Sequence, residues 1–330
     1  MTKPTVVLTR RLPDAVVRAA GERFDVRNNM DDRRFTADQM EEALRSADGI
    51  ICTLGDPLTA GVLGGGPWRA RILANFGAGT DHIDLAAARA SGLVVTNTPG
   101  ALTEATADLA MALILMATRR LGEGEREVRR GEWTGWRPTH LLGNSLQGKT
   151  LGIIGFGRIG QATARRGRLG FGMEILYAGR NEIGVSRKSI TTDTVSEALD
   201  AKAVGLAELL GRSDVVSLHA PANADTVGML GSERIGLMKK GSYLINTARG
   251  SLVDEAALID ALKSGQLTAA GLDVYTHEPF LPSSLLTLPN VVLLPHLGSA
   301  TLETRTAMGM RAIENLDAFF AGGTLLDPVR

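Results

Sequence analysis

Apolar positions along the chain gather in short unbroken runs, and between the runs polar and apolar residues alternate with a helical period. Runs at residues 5–9, 24–26, 49–52, 71–74 and 93–96 predict strands. Pro13 is placed to open a helix that Gly21 can close, and Thr36-Ala37-Asp38-Gln39 has the form of a capping box for a helix running to Arg45. The plan repeats further on, with strands predicted at residues 151–154, 173–178, 215–219, 242–246, 270–274 and 291–294. Strands that alternate with helices in this way predict parallel sheets covered by helices on both faces. The fold class is therefore α/β, with two doubly wound domains and a cleft between them.

The two halves echo each other. Asn75-Phe76-Gly77-Ala78-Gly79 precedes Asp84, which opens a helix ending at Ser91-Gly92; Asn246-Thr247-Ala248-Arg249-Gly250 precedes Asp254, which opens a helix ending at Ser264-Gly265. Only the second half carries a phosphate turn, where the strand at residues 151–154 runs into Gly155-Phe156-Gly157-Arg158-Ile159-Gly160. In such a G-x-G-x-x-G turn the first glycine allows the sharp bend, the second lets backbone approach a pyrophosphate, and the third lets the helix pack on the sheet. The following helix, residues 161–169, and the strand at 173–178 supply the β-α-β context that the motif requires. The first half lacks the turn and is left free to hold substrate, with the ligand expected where the carboxyl ends of both sheets face each other.

Composition narrows the partners. A chain of 330 residues with 44% hydrophobic content can fill two cores. Lys plus Arg equals Asp plus Glu at 36 each, so no field favours nucleic acid or an anionic membrane, and a small molecule is the expected partner. Cys52 sits in an apolar run and reads as a buried, inert thiol. No secretory signal opens the chain and the longest apolar run falls short of a membrane span, which predicts a cytoplasmic protein.

Three charged residues follow predicted strands: Arg249, Glu278 and His296. With their neighbours, Asn246-Thr247-Ala248-Arg249-Gly250, Gly271-Leu272-Asp273-Val274-Tyr275, Glu278-Pro279 and Leu294-Pro295-His296-Leu297-Gly298-Ser299-Ala300-Thr301, they resemble the successive signatures of the D-2-hydroxyacid dehydrogenases. The resemblance extends back to Phe76-Gly77-Ala78-Gly79-Thr80-Asp81-His82-Ile83-Asp84, and within the family it leans toward glyoxylate/hydroxypyruvate reductases.

What the resemblance implies is a pair of Rossmann-like domains, the substrate-binding one formed by residues 1–99 and 298–330 and the dinucleotide-binding one by residues 100–297. It implies catalysis by Arg249, Glu278 and His296, the guanidinium holding the substrate carboxylate and the imidazole, oriented by Glu278, donating to the keto oxygen. Leu54, Ala78, Gly79 and Ser299 join Arg249 in holding the substrate. Beyond the glycine turn and its intervening Phe156, Arg158 and Ile159, the cofactor is expected to touch Thr106, His219, Ala220, Pro221, Thr226, Thr247, Ala248, Asp273, His296 and Gly298. No metal is expected.

A small 2-keto acid would be reduced to its D-2-hydroxy acid. NADP(H) is the expected cofactor, with NAD(H) possible, because the strand at 173–178 leads to Arg180 where an NAD-binding strand usually ends in an acid. The residues between Gly100 and Gly148, with an apolar helix at 106–118 and a loop at 133–140, resemble a dimerisation arm, and a homodimer is expected. NAD-linked hydroxyacid or phosphoglycerate dehydrogenases, and a non-catalytic dinucleotide-sensing corepressor-like protein, remain open as alternatives.

Overall fold

The computed structural model describes residues 2–179 and 192–329, so Arg180 lies outside the described residues. The chain divides into two compact units, residues 1–102 with 299–330 and residues 103–298.

The first unit runs β1 (Thr5–Leu8), α1 (Asp14–Arg23), β2 (Asp25–Asn28), α2 (Ala37–Ser46), β3 (Gly49–Thr53), α3 (Ala60–Leu63), β4 (Ile72–Phe76), α4 (Leu85–Ala90) and β5 (Val94–Thr96). The second runs α5 (Thr103–Thr118), α6 (Leu121–Arg129), β6 (Thr150–Ile154), α7 (Arg158–Phe171), β7 (Glu174–Ala178), α8 (Thr192–Ala198), β8 (Lys202–Ala203), α9 (Leu206–Arg212), β9 (Val215–Leu218), α10 (Ser232–Gly236), β10 (Ser242–Asn246), α11 (Glu255–Ser264), β11 (Leu267–Leu272), α12 (Ser283–Leu286) and β12 (Val291–Leu293). The chain then returns to the first unit with α13 (Leu302–Phe320).

Every strand pair within the two sheets is parallel. The first sheet has the order β2-β1-β3-β4-β5 and the second β12-β11-β10-β9-β6-β7-β8. Both orders reverse once, between β1 and β3 in the first unit and between β6 and β9 in the second. Such reversal points are where doubly wound sheets open a crevice at their carboxyl ends.

The strands form because their apolar residues serve both faces. In the first sheet Val7, Ile50, Cys52, Leu73 and Val95 point one way, while Val6, Leu8, Ile51, Ile72 and Ala74 point the other, onto α1 and α13. In the second, Ile154, Leu176, Val216 and Leu244 face one core and Ile153, Tyr177, Val215 and Ile245 the other. Each fully buried aliphatic side chain contributes on the order of 1.5–3 kcal/mol. Cys52 is wholly buried and burial drives its thiol pKa up, in keeping with an inert residue.

Several boundaries depart from the expectations. Gly21 does not end α1, which continues to Arg23: Gly21 lacks the left-handed φ of a terminating glycine, and a glycine inside a helix costs only about 1 kcal/mol. The strand expected at 24–26 is shifted to Asp25–Asn28, because Phe24 is buried as the helix cap while the polar edge strand is held by pairing with β1. β8, two exposed residues on the edge of β7, is too short to leave a periodic signal. The Thr36 capping box is present with both of its reciprocal hydrogen bonds to Gln39. Among the described residues no helix is long and apolar enough to cross a membrane.

The helix expected at 106–118 begins three residues earlier, at Thr103. It was expected to be covered by a partner; much of it is covered within its own unit, by α7 and the β10–β12 part of the sheet. Ala105, Leu109, Ala112 and Met116, at spacings of four, three and four, stay half-exposed and form a single apolar stripe.

Candidate active site

In the second unit the strands β6, β9, β10, β11 and β12 all deliver loops at their carboxyl ends. The phosphate turn follows β6. Gly155 has φ +92°, and a Cβ there would lie 2.5 Å from the Ala220 nitrogen and 2.6 Å from the His219 carbonyl carbon. A Cβ on Gly160 would lie 2.2 Å from the Gly155 oxygen, so the helix reaches the strand only through a glycine. A Cβ on Gly157 would meet nothing within 4 Å, which leaves open space at the position where backbone must approach a pyrophosphate. Gly157 caps α7 without a side-chain hydrogen bond, and the first turn contains Arg158 and no acid. A cation at a helix N-terminus opposes the dipole unless an anion joins it. The turn thus fits a dinucleotide.

The expected cofactor contacts sort themselves by what their side chains do. Phe156 is buried and stacks on Tyr177 with ring centroids 4.0 Å apart, so only its backbone belongs to the turn. The half-buried His219 follows β9, its Nε2 is 2.9 Å from Ser217 Oγ, and burial pushes its pKa down to about 3, which keeps the ring neutral. Thr226 braces its own loop by donating to the Pro221 carbonyl at 2.6 Å. Thr247 is buried and its hydroxyl has no hydrogen-bond partner among the described residues, a polar group left over at the end of β10. Ile159 is partly buried, and Ala220, with Pro221 beside it, lies on the far side of the Gly155 contact.

The three charged residues sit on consecutive loops of the same sheet edge. Arg249 follows β10, where the buried Asn246 clamps the loop: its Nδ2 donates to the Arg249 carbonyl at 2.8 Å and its Oδ1 accepts from the Ala248 N–H at 3.0 Å. The Arg249 guanidinium donates to the Ala248 carbonyl at 2.7 Å. Gly250 then passes against the next loop so closely that a Cβ would come within 1.9 Å of the Tyr275 carbonyl carbon. That loop carries Glu278, whose Oε1 accepts from the Tyr275 N–H at 3.0 Å and whose Oε2 is 2.8 Å from His296 Nδ1. Both side chains are about one-third exposed.

His296 has a left-handed backbone, φ +56°, unusual for a residue with a side chain. It is held there from both sides by Asp273. The Asp273 carbonyl accepts from the His296 N–H at 3.0 Å, and its carboxylate accepts from the N–H groups of Leu297 at 2.6 Å and Gly298 at 2.8 Å. Thr106 on α5 donates to the Gly298 carbonyl at 3.0 Å, so three expected cofactor residues, Thr106, Asp273 and Gly298, form one knot behind the histidine. Burial raises the Asp273 pKa despite those two N–H groups and the His296 charge. Burial would also raise Glu278, but the hydrogen bond and charge of His296, the Tyr275 N–H and the Arg249 charge outweigh it, and Glu278 titrates below its ordinary value. The result is an ionised carboxylate held against an imidazole.

The expected substrate residues other than Arg249 lie in the first unit. Leu54 is an exposed apolar residue on the loop after β3, one of the strands at the reversal point, and the buried Asp56 ties that loop to Thr9 and to the Thr53 N–H at 2.7 Å. Ala78 and Gly79 follow β4, and Ser299 lies just before α13, accepting from the Thr301 N–H at 2.8 Å. The echo between the halves is physical as well: Asn75 and Asn246 both clamp the loop after their strand, and Asp84 and Asp254 both cap the next helix. The asparagines, Gly250 and Tyr275 stand in the sequence motifs without a role of their own. An Asn at the exit of a strand before a glycine-containing loop was a signal that could have pointed to the first two.

A phosphate turn beside an ionised Glu278 in contact with His296, and an arginine on the neighbouring loop, defines a dinucleotide-dependent oxidoreductase. Comparison with known proteins makes the class particular. Residues 111–298 match the D-isomer specific 2-hydroxyacid dehydrogenase, NAD binding domain. The glyoxylate reductase of Thermococcus litoralis is 42% identical over 97% of this chain and 95% of its own length. The glycerate dehydrogenase of Hyphomicrobium methylovorum is 38% identical over 98% of both. Among solved structures, the NADPH-dependent glyoxylate/hydroxypyruvate reductase of Sinorhizobium meliloti, in complex with NADP and malonate, superposes with a TM-score of 0.84 at 35% identity, covering 99% of this chain and 97% of that one. The chain belongs to the D-isomer specific 2-hydroxyacid dehydrogenase family.

Proposed function

We propose that the protein reduces a small 2-keto acid, glyoxylate or hydroxypyruvate, to the D-2-hydroxy acid, with NADPH as the preferred cofactor. The observation that carries this reading is the 2.8 Å contact of His296 Nδ1 with Glu278 on the sheet edge that also bears Arg249 and the phosphate turn. The names of the reductases at 42% and 35% identity support the substrate class.

The nicotinamide, when bound, supplies the hydride. Arg249 pairs with the substrate carboxylate and polarises the keto oxygen, with the N–H groups of Ala78 and Gly79 as further carboxylate donors and Leu54 and Ser299 as neighbours of the substrate. His296, with Nδ1 committed to Glu278, gives the proton on Nε2 to the oxygen, and Glu278 retains its charge to stabilise the imidazolium. Thr247, Ala248, Thr226 and the 219–221 loop line the dinucleotide. NADPH preference rests on the end of β7, Tyr177-Ala178 followed by Gly179, which offers no acid for the ribose hydroxyls, and on Arg180 as the partner of the 2′-phosphate.

The second part of the reading is a homodimer through the arm. The half-exposed stripe Ala105, Leu109, Ala112 and Met116 supports it, as do the exposed Trp133 and Trp136 further along. His140, on the 133–140 loop, is held by its own arm, with Nε2 2.9 Å from Glu127 and Nδ1 2.8 Å from Arg137.

The test is a steady-state survey of glyoxylate, hydroxypyruvate and bulkier 2-keto acids with each cofactor. The expected result is turnover of the small acids with a lower KM for NADPH than for NADH, a preference that Arg180→Ala reduces by roughly 10 to 100-fold, as befits a charge-assisted contact. Absence of turnover with every keto acid would overturn the reading.

A further inference from the structure

The loop after β4 has an unusual hydrogen-bond ledger. The Gly77 carbonyl accepts from Asn75 Nδ2 at 3.1 Å and from the Thr98 N–H at 3.0 Å. The Ala78 carbonyl accepts from Asn97 Nδ2 at 2.7 Å. The Gly79 carbonyl accepts from Asn75 Nδ2 at 2.8 Å. Three successive carbonyls are thus engaged by two asparagine side chains and one strand-end N–H.

A trans peptide is planar, and its C=O and N–H point in opposite directions. The peptides here are trans, since among the described residues only Gly66-Pro67 and Glu278-Pro279 are cis. Drawing the carbonyls of Gly77, Ala78 and Gly79 onto the asparagines therefore turns the N–H groups of Ala78, Gly79 and Thr80 away from them. No acceptor among the described residues takes any of these three N–H groups. All three residues are only partly buried. Successive outward N–H groups make an anion-binding concavity. Gly77 is glycine for the same device: a Cβ there would sit 3.3 Å from Asn75 Nδ2, pressing on the carboxamide that holds the loop.

We propose that Asn97 and Asn75 are positioning residues for substrate carboxylate recognition, and that Thr80 adds a third backbone donor to those of Ala78 and Gly79. Neither asparagine touches the substrate; each acts through the carbonyl it holds. The proposal rests on the 2-keto acid reading of the site. Of the two, Asn97 is the better probe, because it is half-buried whereas Asn75 is enclosed in the core.

The experiment compares wild type with Asn97→Ala and Asn97→Leu, neither of which can donate to the Ala78 carbonyl. The expected result is a KM for glyoxylate raised about 10-fold or more, as for loss of a bond to a charged group, with kcat changed less than about 3-fold and the NADPH dissociation constant unmoved. The ratio of activity on glyoxylate to that on its neutral amide should fall by a similar factor, a change that general loosening of the fold would not produce. Binding of oxamate to the NADPH complex, measured by calorimetry, should weaken in parallel. Should one variant fail to fold, Asn97→Ser, too short to reach the carbonyl, replaces it. Unchanged KM, amide ratio and oxamate affinity in a folded variant would sink the proposal. A wild type that binds oxamate but turns over no keto acid would sink the functional reading, and the oxamate comparison would still decide the role of Asn97.

Discussion

At the scale of single residues, the Glu278–His296 contact bears on rate and on stability. In the proposed reduction His296 gives a proton to the keto oxygen, and Glu278 supports it. The Glu278 carboxylate lies 2.8 Å from the His296 Nδ1 and fixes the orientation of the ring. Glu278→Gln keeps the shape and removes the charge, and kcat/KM for glyoxylate at pH 7 should fall by roughly 10-fold or more. An unchanged kcat/KM would mean that Glu278 does not support the histidine. The sign for stability follows from the Glu278 shift, which is downward from 4.5. A carboxyl whose folded pKa lies below its unfolded value stabilises the fold above that unfolded value, and loses the contribution as pH falls through the folded one. Urea unfolding at pH 7 and in the acid window just below 4.5 should therefore differ less in Glu278→Gln than in wild type.

At the scale of elements, the decisive feature is how closely the loops after β10 and β11 pass each other. A Cβ on Gly250 would lie 1.9 Å from the Tyr275 carbonyl carbon and 2.3 Å from the Thr276 nitrogen. Both contacts involve backbone, which cannot swing aside as a side chain can. Gly250→Ala must therefore push the Arg249 loop from the Glu278 loop by an ångström or more. A misplacement of that size costs roughly 10²-fold in catalysis, and overpacking costs about 1–3 kcal/mol of stability. Kinetics and thermal unfolding of Gly250→Ala should show both losses; a variant with wild-type kcat/KM would refute the positioning argument. Arg249 and Glu278 were legible as residues after strands, but not the backbone crossing between them, because it depends on two loops far apart in sequence.

At the scale of the whole molecule, the prediction concerns assembly. The stripe Ala105, Leu109, Ala112 and Met116 lies on α5 opposite the face that packs on α7 and the sheet, and Trp136 on the arm is 83% exposed. A contiguous exposed apolar surface of this kind marks an interaction site, and the proposed dimer would cover it. Light scattering should report a dimer at micromolar concentration, and Leu109→Glu, which puts a charge in the stripe, should shift it toward monomer. A wild type that runs as a monomer would remove the basis for the dimer.

Much of this protein follows from local chemistry that a sequence states directly. The capping box at Thr36, the glycines of the phosphate turn and the caps at Asp84 and Asp254 each need only neighbours a few residues away, and each is where the sequence places it. The alternating cores of the central strands are local in the same sense, since a pleat sends successive side chains to opposite faces. Strand order is not local. The reversal between β1 and β3 and that between β6 and β9 arise from crossovers whose pairing no single segment specifies. The polar edge strand β2 and the two-residue β8 exist only because a neighbour offers its backbone. The same holds at the site. Arg249, Glu278 and His296 are visible as residue types in a motif, but the left-handed backbone of His296 is enforced by Asp273, 23 residues earlier in the chain, and Gly298 is tied to Thr106 across 192 residues. Only the folded sheet brings those partners together, because hydrogen bonds and close packing act over ångströms in space whatever the separation along the chain.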